Sequence, residues 1–335
     1  MHSEPPISWP IRNKFMEHVP GLGVVAILTA AAFALHGFIG FSPMIIAIIA
    51  GVGLNSMIGA QPALAAGISL AGKSLLRVAV ALLGLQLTLR DISDIGLSGL
   101  LVAALAVVLT YLFTLFVGRT LKVDTRLTHL IAAGTSICGA SAVAATNTVV
   151  KARDEDVSYA VGCVTLFGTI AMVCFPIVNE WLLLGPRLYG IWTGASVHEV
   201  AQVVGAAFQG GAEAGHFGVV TKLTRVLMLA PVIVVLGNLM TSAAPGRTRA
   251  QANVPAFVIA FIVLAVANSI DLIPGPVSQP LVAITPVLLT AALGALGLGT
   301  SFRALRAEGT RPLLLALAAA LFISATTFLL VRLIM

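Results

Sequence analysis

Apolar residues run along this chain in blocks of about twenty, the length that crosses the hydrocarbon core of a bilayer as a helix. They fall near residues 20–40, 43–60, 72–89, 95–117, 127–150, 157–180, 189–209, 218–242, 254–271, 281–300 and 312–334. Polar and charged positions are confined mostly to the short joints between blocks. The pattern predicts about eleven transmembrane helices, with residues 62–72 as an interfacial stretch. Composition agrees: the chain is 59% hydrophobic and 10% charged, against roughly 25% charged in a soluble domain. The fold class expected is an all-α polytopic membrane protein.

Charge sets the expected orientation. The net charge of +6 is spread singly between apolar runs, which argues against a nucleic-acid-binding face. With the N-terminus inside, thirteen of the nineteen Lys and Arg residues collect on the cytoplasmic side, as the positive-inside rule favours. This predicts a cytoplasmic tail over 1–19, an odd number of spans and an outside C-terminus. Met1–Pro20 lacks a small-residue cleavage site, so no signal peptide is expected. Cys138, Cys163 and Cys174 all lie in apolar stretches and suggest neither a disulfide framework nor a metal site.

The chain also matches itself. An offset of 213 positions sets Leu75–Arg119 over Leu288–Arg332, with Gly84, Arg90, Gly96 and Arg119 facing Gly297, Arg303, Gly309 and Arg332. Partners separated by an odd number of crossings lie upside down to one another, which is how inverted-repeat transporters are built. The division expected is a first repeat over 20–155, a second over 156–302 and a terminal helix over 303–335, all within one transporter domain.

Within the fifth run, Gly134-Thr135-Ser136-Ile137-Cys138-Gly139-Ala140-Ser141 weakens a spanning helix at its centre. In hydrocarbon, irregular backbone survives only where protein or a water-filled cavity covers it. A break here would turn a half-helix N-terminus into the core, where its unpaired N–H groups favour an anion. Close packing of small residues is the alternative reading. The tenth run repeats the Gly-Thr-Ser element at Gly299-Thr300-Ser301, so the fifth and tenth spans are expected to be discontinuous and to cross. The seventh run carries His198-Glu199 and, three residues on, Gln202. His-Glu-x-x-His zinc chemistry is excluded because position 202 is glutamine. An ionisable residue inside a membrane is a functional candidate, so Glu199, His198 and Gln202 are assigned to a coupling proton or ion. Arg225, and with it Arg77, is expected to balance the charge of an anion. Lys73 and Lys222, near the starts of their runs, are expected to snorkel to headgroups. Asn55 and Asn147 are read as helix–helix glue, and 151–156 as a solvated loop.

These motifs, with Lys222-Leu-Thr-Arg-Val-Leu-Met-Leu-Ala-Pro231 and Ala292–Thr300, resemble the YeiH-type bacterial inner-membrane proteins, a family of proposed sulfate exporters. The resemblance covers Gly21 to Arg332. It implies export of an inorganic or small sulfur-containing anion, and a broken-helix, inverted-repeat fold similar to sodium/proton antiporters and bile-acid symporters. The function expected is therefore secondary active anion transport by alternating access, coupled to protons or sodium. Substrate contacts are assigned to Gly134, Thr135, Ser136, Cys138, Gly139, Ser141, Arg77, Arg225, Thr300 and Ser301, with no cofactor. The partners expected are the anion, H+ or Na+, membrane lipid and a second copy in a homodimer. A passive anion channel would need a continuous polar stripe, and a membrane-embedded enzyme would have only Cys138 and His198 as nucleophile and base.

Overall fold

The structure is a computed structural model that describes residues 10–39, 41–59, 61–86, 93, 95–242, 256–300 and 309–335. Ser301, the first nine residues and Arg90, Arg247, Arg249, Arg303 and Arg306 lie outside these. Fifteen α-helices follow one another among the described residues: α1 (Pro10–Ile39), α2 (Pro43–Ile58), α3 (Pro62–Leu70), α4 (Leu76–Leu82), α5 (Gly96–Thr120), α6 (Thr125–Ala133), α7 (Ala140–Val150), α8 (Asp154–Leu182), α9 (Pro186–Ser196), α10 (Val200–Ala207), α11 (Ala212–Leu227), α12 (Leu229–Ser242), α13 (Ala256–Ser269), α14 (Gly275–Leu298) and α15 (Thr310–Ile334). Among the described residues, seven helical stretches are long and apolar enough to cross a membrane, and shorter apolar helices accompany them.

Local chemistry explains where these helices begin. Pro43, Pro62 and Pro186 occupy first-turn positions, where a missing N–H costs nothing. Asp124 caps α6, its carboxylate accepting the amides of Arg126 at 2.9 Å and Leu127 at 3.2 Å. Residues 154–156 form the first turn of α8 rather than a loop, and the carboxylates of Glu155 and Asp156 meet the positive end of the helix dipole there. The stretch at 62–72, expected at the interface, instead begins a continuous helical span over Pro62–Gln86, with a π turn at Ala71–Leu75 joining α3 to α4.

The helices sort into two bundles. One holds α1–α4, α13 and α14; the other holds α5–α12 and α15. They meet where α8 and α10 of the second bundle pack against α2, α4 and α14 of the first. Asn55 ties the first bundle together by donating to the Thr300 carbonyl, and Asn147 accepts the Ala152 amide at 2.8 Å past the end of α7. The glycines that sequence matching sets opposite one another, Gly96 and Gly309, both take positive φ (64° and 93°). The 25-residue helices that start at or just after them, α5 and α15, pack side by side.

The tenth run is not interrupted. α14 continues from Gly275 to Leu298, and its glycines serve close packing instead. A Cβ on Gly51 would lie 2.5 Å from the Gly294 carbonyl oxygen, and one on Gly297 would meet the Ile48 carbonyl. The α2–α14 seam is thus a contact of bare backbones, for which small residues are the requirement. Gly297→Val is expected to lower the thermal midpoint of the detergent-purified protein by an amount equivalent to about 1–3 kcal/mol, the usual range for overpacking. An unchanged midpoint would show that the seam yields freely.

Candidate functional site

Two spans of the second bundle are broken, and neither half of either is long enough to cross a membrane alone. The first runs α6, a π turn over Gly134–Cys138, then α7. The Gly139 amide closes the π turn on the Gly134 carbonyl at 2.8 Å, and Gly139 itself sits at φ 70°, ψ −133°. Only glycine takes this conformation without strain. The second broken span is α9 followed by α10. Val197 (φ −63°, ψ 145°) and Glu199 (φ −115°, ψ 150°) are extended there. Gln202 stabilises this break by accepting the Glu199 amide at 3.1 Å, while its own amide donates to the Thr165 carbonyl at 3.1 Å and to Thr169 Oγ1 at 3.2 Å on α8.

Both breaks leave carbonyls without intrahelical partners, and α11 supplies donors to them. Arg225 is fully buried. Its Nε donates to the Ser136 carbonyl at 3.0 Å, Nη1 to Gly194 at 3.1 Å and Val197 at 3.2 Å, and Nη2 to Thr135 at 2.9 Å and Ser136 at 2.7 Å. Three residues earlier on the same face, Lys222 Nζ donates at 2.8 Å to both Ile137 and Val197. Two basic side chains therefore rest on the C-terminal ends of the two leading half-helices, where the dipoles are negative. The complementary end holds Glu199. Its carboxylate lies against the start of α7, where a Cβ on Gly139 would be 2.9 Å from Glu199 Oε1. Thr165 Oγ1 is 3.5 Å from the same oxygen.

The crossing thus brings together Gly134, Thr135, Ser136, Cys138, Gly139, His198, Glu199, Gln202 and Arg225. The Ser136 hydroxyl faces its own helix, donating to the Ala132 carbonyl at 2.7 Å; it is the backbone carbonyls of residues 135–137 that Arg225 and Lys222 use. Ser141, the second residue of α7, is exposed. Arg77 is exposed on α4, in the other bundle. Thr300 lies past the end of α14, its hydroxyl bonded to the Leu296 carbonyl at 2.9 Å. It helps line a mostly apolar cavity of about 260 Å³ at the bundle boundary, with Val52, Leu166, Thr169, Ile170 and Val173. Lys222 belongs to the crossing and not to the headgroups: it is fully buried. Its i, i+3 spacing from Arg225 in an apolar helix was the available signal. His198 is 1% exposed, and neither ring nitrogen has a hydrogen-bond partner.

These features define an all-helical polytopic membrane protein organised around the crossing of two interrupted spans, with a carboxylate at one set of helix ends and two basic side chains at the other. The chain belongs to the family described as "Conserved hypothetical protein 698", whose model matches residues 20–316. It is 37% identical over 322 residues to the "UPF0324 inner membrane protein YeiH" of Salmonella typhi, covering 92% of this chain and 91% of that protein. The protein of that name from Escherichia coli K12 is 38% identical over 314 residues, 89% of each chain. A "UPF0324 membrane protein" of Pseudomonas putida is 39% identical over 301 residues, 87% of this chain and 85% of its own. No solved structure matches the chain.

Proposed function

We propose that the protein is a secondary transporter for a small anion, sulfate or a related sulfur oxyanion or small organic anion, working by alternating access and coupled to a proton or sodium gradient. The observation that carries this reading is the burial of Glu199, Lys222 and Arg225, at 6%, 0% and 0% exposure, around two unwound segments. Charges and irregular backbone inside a membrane are expensive, and they mark solute and ion pathways. The two-bundle arrangement supplies a second element of such a machine, a boundary with a cavity along which one bundle can shift against the other. With two cations and one carboxylate, the cluster favours a negative solute once all three are ionised.

The relatives named as inner-membrane proteins support the same location here. With Lys222 and Arg225 inside the protein, and Lys73 and Arg77 carried into the middle of the Pro62–Gln86 span, eleven Lys and Arg remain on the proposed cytoplasmic side against four outside. That asymmetry favours the N-terminus inside and the C-terminus outside. The coupling ion acts on the cluster formed by Glu199, His198 and Lys222. No catalytic activity is proposed.

The test is uptake of labelled sulfate, sulfite, thiosulfate and small organic anions into proteoliposomes, with and without an imposed pH or sodium gradient. Saturable, gradient-dependent uptake of at least one anion is expected. Glu199→Ala, which leaves the start of α7 without its carboxylate, is expected to abolish that uptake. Full uptake by this variant would remove Glu199 from the mechanism, and no uptake by the wild type would remove the transport reading.

A further inference from the structure

We infer that Lys222 is the proton carrier of the crossing and the direct contact for the anion, so that one proton travels with each anion. The inference rests on the transport reading above and deepens it by naming the coupling ion and the residue.

Donor inventory separates the two buried cations. A guanidinium has five N–H groups, and the five bonds of Arg225 to the carbonyls of residues 135, 136, 194 and 197 use all of them. Arg225 therefore has no donor left for a solute. Lys222 differs. Its nitrogen has two acceptors, the Ile137 and Val197 carbonyls. A neutral amine has two N–H groups and a lone pair, which matches that environment. The ammonium has a third N–H, for which the described residues provide no acceptor. A buried donor without an acceptor is costly, so protonation of Lys222 and the arrival of an acceptor from outside favour one another.

Charge points the same way. With Lys222 neutral, Arg225 and Glu199 cancel. Adding one proton and one monovalent anion preserves that balance, whereas either alone places an uncompensated charge in a dry interior. The step is simple to balance: a proton from water adds to the Nζ lone pair, the new N–H donates to an anion oxygen, and no covalent bond other than N–H forms or breaks. On the far side the anion leaves, and the proton returns to water. His198, which follows the Val197 whose carbonyl Lys222 bonds, has both ring nitrogens unpartnered and offers a neutral donor to a second oxygen of the anion.

The charged and titratable groups acting on Lys222 are Arg225 on its own helix, Cys138 from the π turn, and Glu199 and His198 from the second break. Tyr189 on α9 is engaged, its hydroxyl donating to the Ala206 carbonyl at 2.9 Å. The buried face of α5 carries only glycine, alanine, valine and threonine, and that of α12 is apolar at Leu229, Ile233 and Leu236.

The experiment titrates purified protein in weakly buffered solution with methanesulfonate and with ethanesulfonate, both monovalent and neither titrating near neutral pH, while a pH indicator counts protons. The wild type is expected to take up about one proton per anion bound, as linkage requires when the anion binds the protonated form. Lys222→Arg retains donors for both carbonyls and holds its charge permanently, so it is expected to bind anion with no proton uptake. Binding by the wild type without proton uptake would overturn the inference and leave the transport reading standing. Continued uptake in a folded Lys222→Arg protein would also overturn it. Should that variant fail to fold, the wild-type count decides alone. Failure of both anions to bind the wild type would instead overturn the anion reading, and this inference with it.

Discussion

Arg225→Ala is expected to prevent the protein from accumulating in folded form. The guanidinium satisfies four backbone carbonyls drawn from both broken spans. Alanine leaves those carbonyls facing one another in an interior where water cannot replace the lost donors. Removing one side of a buried charged network typically costs about 3–5 kcal/mol, a large share of the roughly 5–15 kcal/mol that holds a native protein together. Lysine has three donors to arginine's five, so Arg225→Lys is expected to fall between alanine and the wild type. Fluorescence-detected size-exclusion chromatography and thermal unfolding in detergent measure the effect. A well-folded Arg225→Ala protein that has lost only anion binding would restore the role the sequence suggests for this residue, that of a solute contact.

Gly139→Ala is expected to produce the next largest loss, and to damage both stability and transport. Any Cβ at φ 70°, ψ −133° is strained, at a cost of about 1–3 kcal/mol. The added carbon would also collide with Glu199 Cγ and approach its carboxylate, pushing that group away from the start of α7. Gly134 provides the comparison. A Cβ there would press on the methyl groups of Val164 at 2.7 Å and Val143 at 2.8 Å, with the Gly139 carbonyl in ordinary contact at 3.6 Å, and its backbone is ordinary helix at φ −60°, ψ −47°. Gly134→Ala should therefore cost less than Gly139→Ala in thermal midpoint and leave more of the uptake. The reverse order would mean that the break at Gly139 is not rigid.

Much of the architecture was legible in the sequence. Long apolar runs separated by short polar joints have few solutions other than membrane helices, and the Gly134–Ser141 stretch disclosed the first break. The second break was legible only in part. His198, Glu199 and Gln202 were visible as intramembrane polar residues, yet Gly299-Thr300-Ser301 drew the expected break to the wrong span. Glycine serves unwinding and close packing equally well, and nothing local distinguishes Gly134 and Gly139 from Gly294 and Gly297. The difference is tertiary: α2 presses its backbone against α14, whereas α11 brings Lys222 and Arg225 to the other pair. The break at Val197–Glu199 contains no glycine, and it is held open by side chains from elsewhere in the fold. Lys222 was misplaced for a related reason. Its apolar run starts near residue 218, so the lysine looks terminal, but α11 begins at Ala212 and carries it well into the helix.

The central claim is that the crossing of the two broken spans is where the solute binds and where access alternates. Cys138, 6% exposed at the end of the π turn, reports on it directly once Cys163 and Cys174 are replaced by alanine. The decisive measurement is the rate at which a small, membrane-impermeant thiol reagent modifies Cys138 in proteoliposomes, with and without a transported anion at saturating concentration. Slow modification, slowed further by the anion over the same concentration range that saturates uptake, is the result expected. Modification at one rate, whether or not uptake is saturated, would contradict it.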